Sequence, residues 1–424
     1  MEKIAIVGSG IAGLGCAWLL KDHAHITLLE KNSRPGGHTN TILVEEDGLL
    51  IPIDTGFIVF NKVTYPNLCA LFDELCVTLK PAEMSFSVRH DPSGLEYNGM
   101  SLNKLFAQRR NIFSPKFWCL ISRITKFFQV AKAAVHDPPR QTILEFVNQH
   151  RLGEDFLNLY LVPMSSAVWS TDSQKILDFP AETLIRFFYN HGFLGVKTHH
   201  QWFTLDGGAK TYLDKILADP RIHLRLSSPV TAIKSTPSKA FVQFANNTEE
   251  IFDRVILACH ADQACLLIRK SDPEAYRLLT SFSYQKNPAT LHTWEGIMPK
   301  SRLAWASWNY HVAHRQNIPA NAANAKTHYW MNALQGVSRK KNYFVSLNSH
   351  NEIPPSHILY ETTYEHPVFT RQAINAQAQL PSLNTRSPSQ RIYYCGSYFK
   401  YGFHEDAYGS AVSLAQHIKK HLNS

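Results

Sequence analysis

Two groups of residues in this chain could do chemistry, and they lie almost 400 positions apart. Near the start, Gly8-Ser9-Gly10-Ile11-Ala12-Gly13 spaces three glycines as GxGxxG, and Glu30 stands alone at the end of the apolar run "HITLL". Near the other end, "GFHEDAYGSA" sets His404, Glu405 and Asp406 side by side. The first group is a phosphate cradle with an acid placed to accept hydrogen bonds from an adenosine ribose. That acid disfavours a 2′-phosphate, which makes NADP the poorest ligand for the site. The second group reads as acid/base machinery, with His404 as the proton shuttle and Glu405 beside it. The competing reading is that His404 and Asp406 only fix the loop before a helix.

A glycine fingerprint means little without the elements that position it. Here "KIAIV" (3–7) predicts a buried parallel strand, "LGCAWLLKDH" has helical apolar spacing, and 25–29 predict a second strand ending at Glu30. Gly8 makes the tight turn after Val7, Gly10 lets the backbone approach a pyrophosphate, and Gly13 lets helix and strand close together. Ser9 and Ala12 complete the turn, and the helix N-terminus supplies unpaired N–H groups. Beyond the acid, "EKNSRPGGHTNT" carries Lys31, Gly36, Gly37 and His38. A second glycine pair so soon after the acid fits a longer or more folded-over ligand than NAD.

Composition bounds the rest. The chain has 424 residues, 44% hydrophobic and 18% charged, which predicts an ordinary globular protein of two domains. It holds 24 Phe, 17 Tyr and 8 Trp, enough for a large apolar pocket as well as an aromatic core. The net charge of +9 comes with no long basic run and no nucleic-acid motif. It is read as weak support for a membrane surface and none for nucleic acid. Seven cysteines without a CxxC pair predict neither a disulfide framework nor a metal site, and a reducing cytoplasm. The apolar start lacks a basic leader and a cleavage site, and no run of 18 apolar residues predicts a membrane span.

With these residues in place, the chain resembles the flavin amine oxidase superfamily. The carriers are "GSGIAG", the acid followed by a basic residue, and "RPGGH", where His38 stands in place of a common arginine. "YYCGSYFKYGFHEDAYGSAVSLA" (393–415) is similar to the superfamily's closing strand, loop and helix. Phrases such as "PMSSAVWST" (163–171), "QWFTLDGG" (201–208), "LHTWEGIMP" (291–299) and "YEHPVF" (364–369) resemble one branch. That branch holds predicted NAD/FAD-binding proteins whose genes are commonly found with cyclopropane-fatty-acyl-synthase-like genes. The resemblance spans essentially the whole chain. It implies an α/β fold: a Rossmann-like FAD-binding domain of the two-dinucleotide-binding type, with an inserted α+β substrate domain, as in amine oxidases and phytoene desaturases. The FAD domain would take 1–61, 201–270 and 375–424. The substrate domain would take 62–200, largely helical, and 271–374, a mixed sheet. A surface loop is expected over 317–326.

The resemblance also implies noncovalent FAD and residues for it. Backbone at Thr55 and Gly56 would pass the isoalloxazine ring, and Val230 would meet adenine. Gly396 is kept, while Ser397 replaces the acid that usually bonds the ribityl chain. Asp406 and Ala407 open the helix that faces the flavin pyrimidine ring, where charge gathers on reduction.

Hydride removal from a hydrophobic, fatty-acyl or lipid substrate, by desaturation or a related oxidation, is the leading expectation. A flavin amine oxidase acting on a small amine or polyamine is the first alternative. Two features count against it: the strand "NPATLHT" carries no lysine, with Lys286 just before it, and only Phe403 offers an aromatic cage wall. A non-catalytic flavin-binding partner in lipid modification is the second alternative. His292 and Asn309 are weaker catalytic candidates. Residues 114–135, "SPKFWCLISRITKFFQVAKAAV", interleave apolar positions with Lys116, Arg123, Lys126 and Lys132. They are read as a core helix with a basic edge or as a peripheral membrane contact. The electron acceptor and the oligomeric state are not encoded in any motif.

Overall fold

The structure is a computed structural model describing residues 1–172, 174–195, 198, 200–313, 326–387 and 390–422. Its centre is a five-stranded parallel sheet in the spatial order Ile222–Arg225, Ala24–Leu29, Glu2–Val7, Arg254–Leu257 and Ile392–Tyr394. Ile4, Ala5 and Ile6 are fully buried, as expected of a strand covered on both faces. The chain lays strands to one side of Glu2–Val7 first and returns later to fill the other. The carboxyl end of that strand is therefore the switch point where open α/β sheets bind ligands. Helix Ile11–Leu20 starts there, and the C-terminal helix His404–Leu422 packs on it through Gly15, where a Cβ would meet the Tyr408 ring at 2.6 Å. A three-stranded antiparallel sheet, Val230–Ser235, Ala240–Phe244 and Glu249–Phe252, precedes the return strand Arg254–Leu257.

A second sheet of seven strands is mixed. Its order is Ile358–Val368, Ser283–His292, Phe344–Leu347, Lys326–Trp330, Trp308–Val312, Phe86–His90 and Leu95–Asn98. The last two come from the stretch expected to be largely helical, as does Leu79–Ala82 in a small three-stranded sheet. The rest of that stretch is helical, with Pro115–Ala134 the longest helix. It starts on a Ser114 cap and buries Phe117, Leu120, Phe127 and Ala131. The closing strand is shorter than the run "RIYYCGSYF": it ends at Tyr394, and Ser397–Phe399 form a single tight turn. Of the loop expected at 317–326, Lys326 opens a strand and the remainder lies outside the described residues.

Candidate functional site

A cavity of about 1280 Å³ runs from the glycine fingerprint into the second sheet and its helices. Ligand pockets usually occupy about 300–1,000 Å³, so there is room for a dinucleotide and a second molecule. Gly8, Ser9, Gly10, Ile11 and Ala12 line one end. Helix Ile11–Leu20 carries no side-chain cap, so its first N–H groups are free to meet an anion. Gly13 lies beneath, and a Cβ on it would fall 1.9 Å from the Gly8 carbonyl oxygen. Glu30 is buried, with Ser9 donating to one carboxylate oxygen through N–H (3.1 Å) and Oγ–H (2.6 Å). Asn32 donates to the other through N–H (2.9 Å) and Nδ2–H (2.8 Å). The carboxylate is thus fixed at the cavity edge, with Lys31, Gly37, His38 and Val230 also lining the wall.

Of the other residues expected around a cofactor, Gly56, Gly396, Ser397, His404 and Ala407 line the cavity. Gly36, Thr55, Glu405 and Asp406, like Gly13, do not. Gly36 N–H donates to the Ser9 carbonyl (3.1 Å), which ties the second glycine pair to the first. Thr55 is bonded to Asn40 and to Tyr364 (2.7 Å). Both act from behind the wall.

The acid/base expectation is corrected by the geometry. The Glu405 carboxylate faces helix Pro66–Glu74 and accepts from Asn67 N–H (3.0 Å), Asn67 Nδ2–H (2.6 Å) and Leu68 N–H (3.0 Å). It satisfies a helix N-terminus and is spent there. Asp406 is buried and accepts from Phe403 N–H at 2.9 Å, which fastens the loop before the last helix. Burial pushes its carboxyl up to about 7. His404 does reach the cavity, but its ring stacks on Phe57 (3.9 Å, 7°) and Nε2 lies 3.2 Å from both Thr39 Oγ1 and Tyr212 Oη. Burial pulls it down to about 3, so it is neutral at physiological pH. His292 and Asn309 are absent from the lining. His292 Nε2 pairs with Ser346 Oγ (2.8 Å), and Asn309 bonds the Ala306 N–H and carbonyl and the His328 carbonyl.

Three residues with no role assigned from sequence line the cavity next to His38. Tyr364 stacks on His38 (4.8 Å), His366 stands edge-on to it (5.3 Å), and Glu365 lies between them in the strand. Burial lowers His38 and His366, the latter to about 4, and neighbouring His260 holds Glu365 below the usual carboxylate range. Lys286 is the second correction. The strand runs Ser283–His292, so it carries this lysine, which pairs in register with Glu365 and lines the cavity. "YEHP" and "QKNP" were both visible, but nothing local shows that the two strands are neighbours.

Deeper in, the wall changes character. Phe86, Ile121, Ile124, Phe128, Tyr160, Met164, Trp169 and Trp308 are representative. Between residues 65 and 202, no described lining residue is Asp, Glu, Lys, Arg or His. Phe403 lines the passage between the two regions and stacks on Phe187 (5.0 Å, 21°).

A parallel sheet with a glycine fingerprint at its switch point is joined to a mixed sheet across one long cavity, which is the fold of amine oxidases. Comparisons with known proteins agree. Residues 6–75 match the family model of an NAD(P)-binding Rossmann-like domain. An L-amino-acid oxidase from Pseudechis australis is 44% identical over 48 residues, which are 11% of this chain and 9% of that protein. The chain therefore spans only a small part of that relative's length at the sequence level. A putrescine oxidase bound to putrescine superposes with a TM-score of 0.66 at 14% identity, over 99% of each chain. A CLA-producing fatty acid isomerase from P. acnes gives 0.66 at 12% identity, over 98% of each chain. The fold is shared over the full length of these structures.

Proposed function

We propose that the protein is an FAD-dependent oxidoreductase that takes hydride from a hydrophobic substrate of acyl-chain type. The observation that carries this is the uncharged wall of the inner cavity. An amine bound there as a cation would lose its hydration with no carboxylate to replace it. The residues present fit noncovalent FAD: the uncapped helix and Gly10 would hold the pyrophosphate, Glu30 the ribose, and Val230 the adenine. Gly56, Ser397 and Ala407 would hold the flavin end. Bound there, FAD supplies a two-electron hydride acceptor. The chain's own part is to bind, orient and exclude water, and neutral His404 orients by its contacts with Thr39 and Tyr212. The likeness in fold to a fatty acid isomerase supports the acyl-chain reading.

A second reading, an amine oxidase, is favoured by Lys286 on its strand and by the putrescine oxidase likeness. Anaerobic mixing of the flavin-loaded protein with fatty acids, acyl esters and amines separates the two. Bleaching by an amine and by no acyl compound would replace the first reading with the second. A protein that takes up no FAD would end both.

A further inference from the structure

The apolar end of the cavity comes out at an unusual surface. Gly99, Met100 and Leu105 line it there, beside Ile121, Ile124 and Thr125 of helix Pro115–Ala134. Immediately around this rim, Met100 (52% exposed), Leu102 (75%), Ile112 (43%), Phe113 (86%) and Trp118 (49%) project outward. Two of them are joined into a knob: the Trp118 indole N–H donates to the Ile112 carbonyl (2.9 Å), and its ring packs on Phe106 (5.2 Å). Exposed aromatic and aliphatic side chains of this size, gathered in 19 consecutive residues, are not a normal soluble surface.

The charge around the knob is one-sided. From 97 to 136 the sequence has seven Lys or Arg and no Asp or Glu. Arg109, Arg110, Lys116, Lys126 and Lys132 are exposed, and among the described residues only Lys104 and Arg123 reach acids from elsewhere, Glu83 (3.7 Å) and Asp155 (3.8 Å).

We infer that residues 99–132 form a docking surface for an anionic lipid bilayer, with the acyl-binding cavity opening into the lipid. Phe113, Leu102 and Trp118 would enter the headgroup–acyl boundary, and the basic side chains would meet lipid phosphates. The inference rests on the hydrophobic-substrate reading, since it supplies that substrate directly from the membrane. Its test is independent of turnover. The flavin-loaded protein is mixed with vesicles of phosphatidylcholine alone or with about one third phosphatidylglycerol, and the bound fraction is read by flotation at low and high salt.

The expected result is binding to the anionic vesicles that weakens as salt rises. Phe113→Ser with Trp118→Ser, and separately Arg110→Glu with Lys116→Glu, should each lower partitioning. At about fivefold per basic residue near the surface, the charge pair should cost about 20-fold or more. All variants should keep their bound flavin and their thermal denaturation midpoint, which separates docking from misfolding without use of a substrate. No binding to either vesicle overturns the inference. So does binding that the Phe113/Trp118 variant leaves unchanged, which would mark a purely ionic surface of the kind that meets an acidic protein.

Discussion

Gly13 and Glu405 show how differently two residues near the same cofactor cleft can act. A Cβ on Gly13 would sit 1.9 Å from the Gly8 carbonyl oxygen, so Gly13→Ala must push the fingerprint turn out of place. The expected outcome is loss of most bound flavin and a stability decrease of about 1–3 kcal/mol, read by flavin-to-protein ratio and thermal denaturation. Glu405→Ala should behave the opposite way. It removes three charge-assisted hydrogen bonds at the start of helix Pro66–Glu74 and should cost about 2–3 kcal/mol of stability. The rate of flavin reduction per bound flavin should stay within a factor of about two, equivalent to less than about 0.5 kcal/mol. A drop of orders of magnitude would restore Glu405 to the chemistry.

Asp406 adds a pH signature. Its folded carboxyl is raised from 3.8 to about 7, so between those values the folded state holds a proton that the unfolded state has lost. Stability from this group is full below about pH 4 and is lost as pH rises towards 7. Asp406→Asn should flatten that part of the stability–pH curve, measured by denaturant titration. At this scale the cradle was legible because its chemistry is local: glycines, a helix start and an acid at a fixed distance. The roles of His404, Glu405 and Asp406 were not. Adjacent in sequence, they point to three different neighbours, and only packing decides which.

Among the elements, helix Pro115–Ala134 carries two duties on two faces. Phe117, Leu120 and Phe127 are core, while Ile121, Ile124 and Phe128 line the cavity. Replacing Ile124 by Trp should shorten the accessible space. The expected outcome is a KM rise of about tenfold for long acyl chains and little change for short ones, in steady-state kinetics over a chain-length series. Equal effects on both would place Ile124 outside the substrate path. The sequence showed this helix clearly by its spacing. It concealed the strands Leu79–Ala82, Phe86–His90 and Leu95–Asn98, which are four or five residues long and surrounded by helical patterns. Pro81 also argues against a strand until its edge position is known. Lys286 was placed just before its strand for a related reason: the start of that strand is set by pairing with the distant strand Ile358–Val368, and not by its own composition.

For the whole molecule, the central claim is one continuous cavity with a charged, dinucleotide-sized end and an uncharged end that we propose takes an acyl chain. Two distant parts of the chain, near Gly8 and near Ser397, build the first end, and the helices and mixed sheet build the second. That plan follows from the strand order, since the return of the chain to the parallel sheet brings its last helix to the N-terminal fingerprint. The most direct measurement compares anaerobic flavin bleaching by a fatty acid or its ester with bleaching by an alkylamine of the same chain length. Faster bleaching by the acyl compound, increasing with chain length, is predicted. Bleaching by the amine alone would contradict the account.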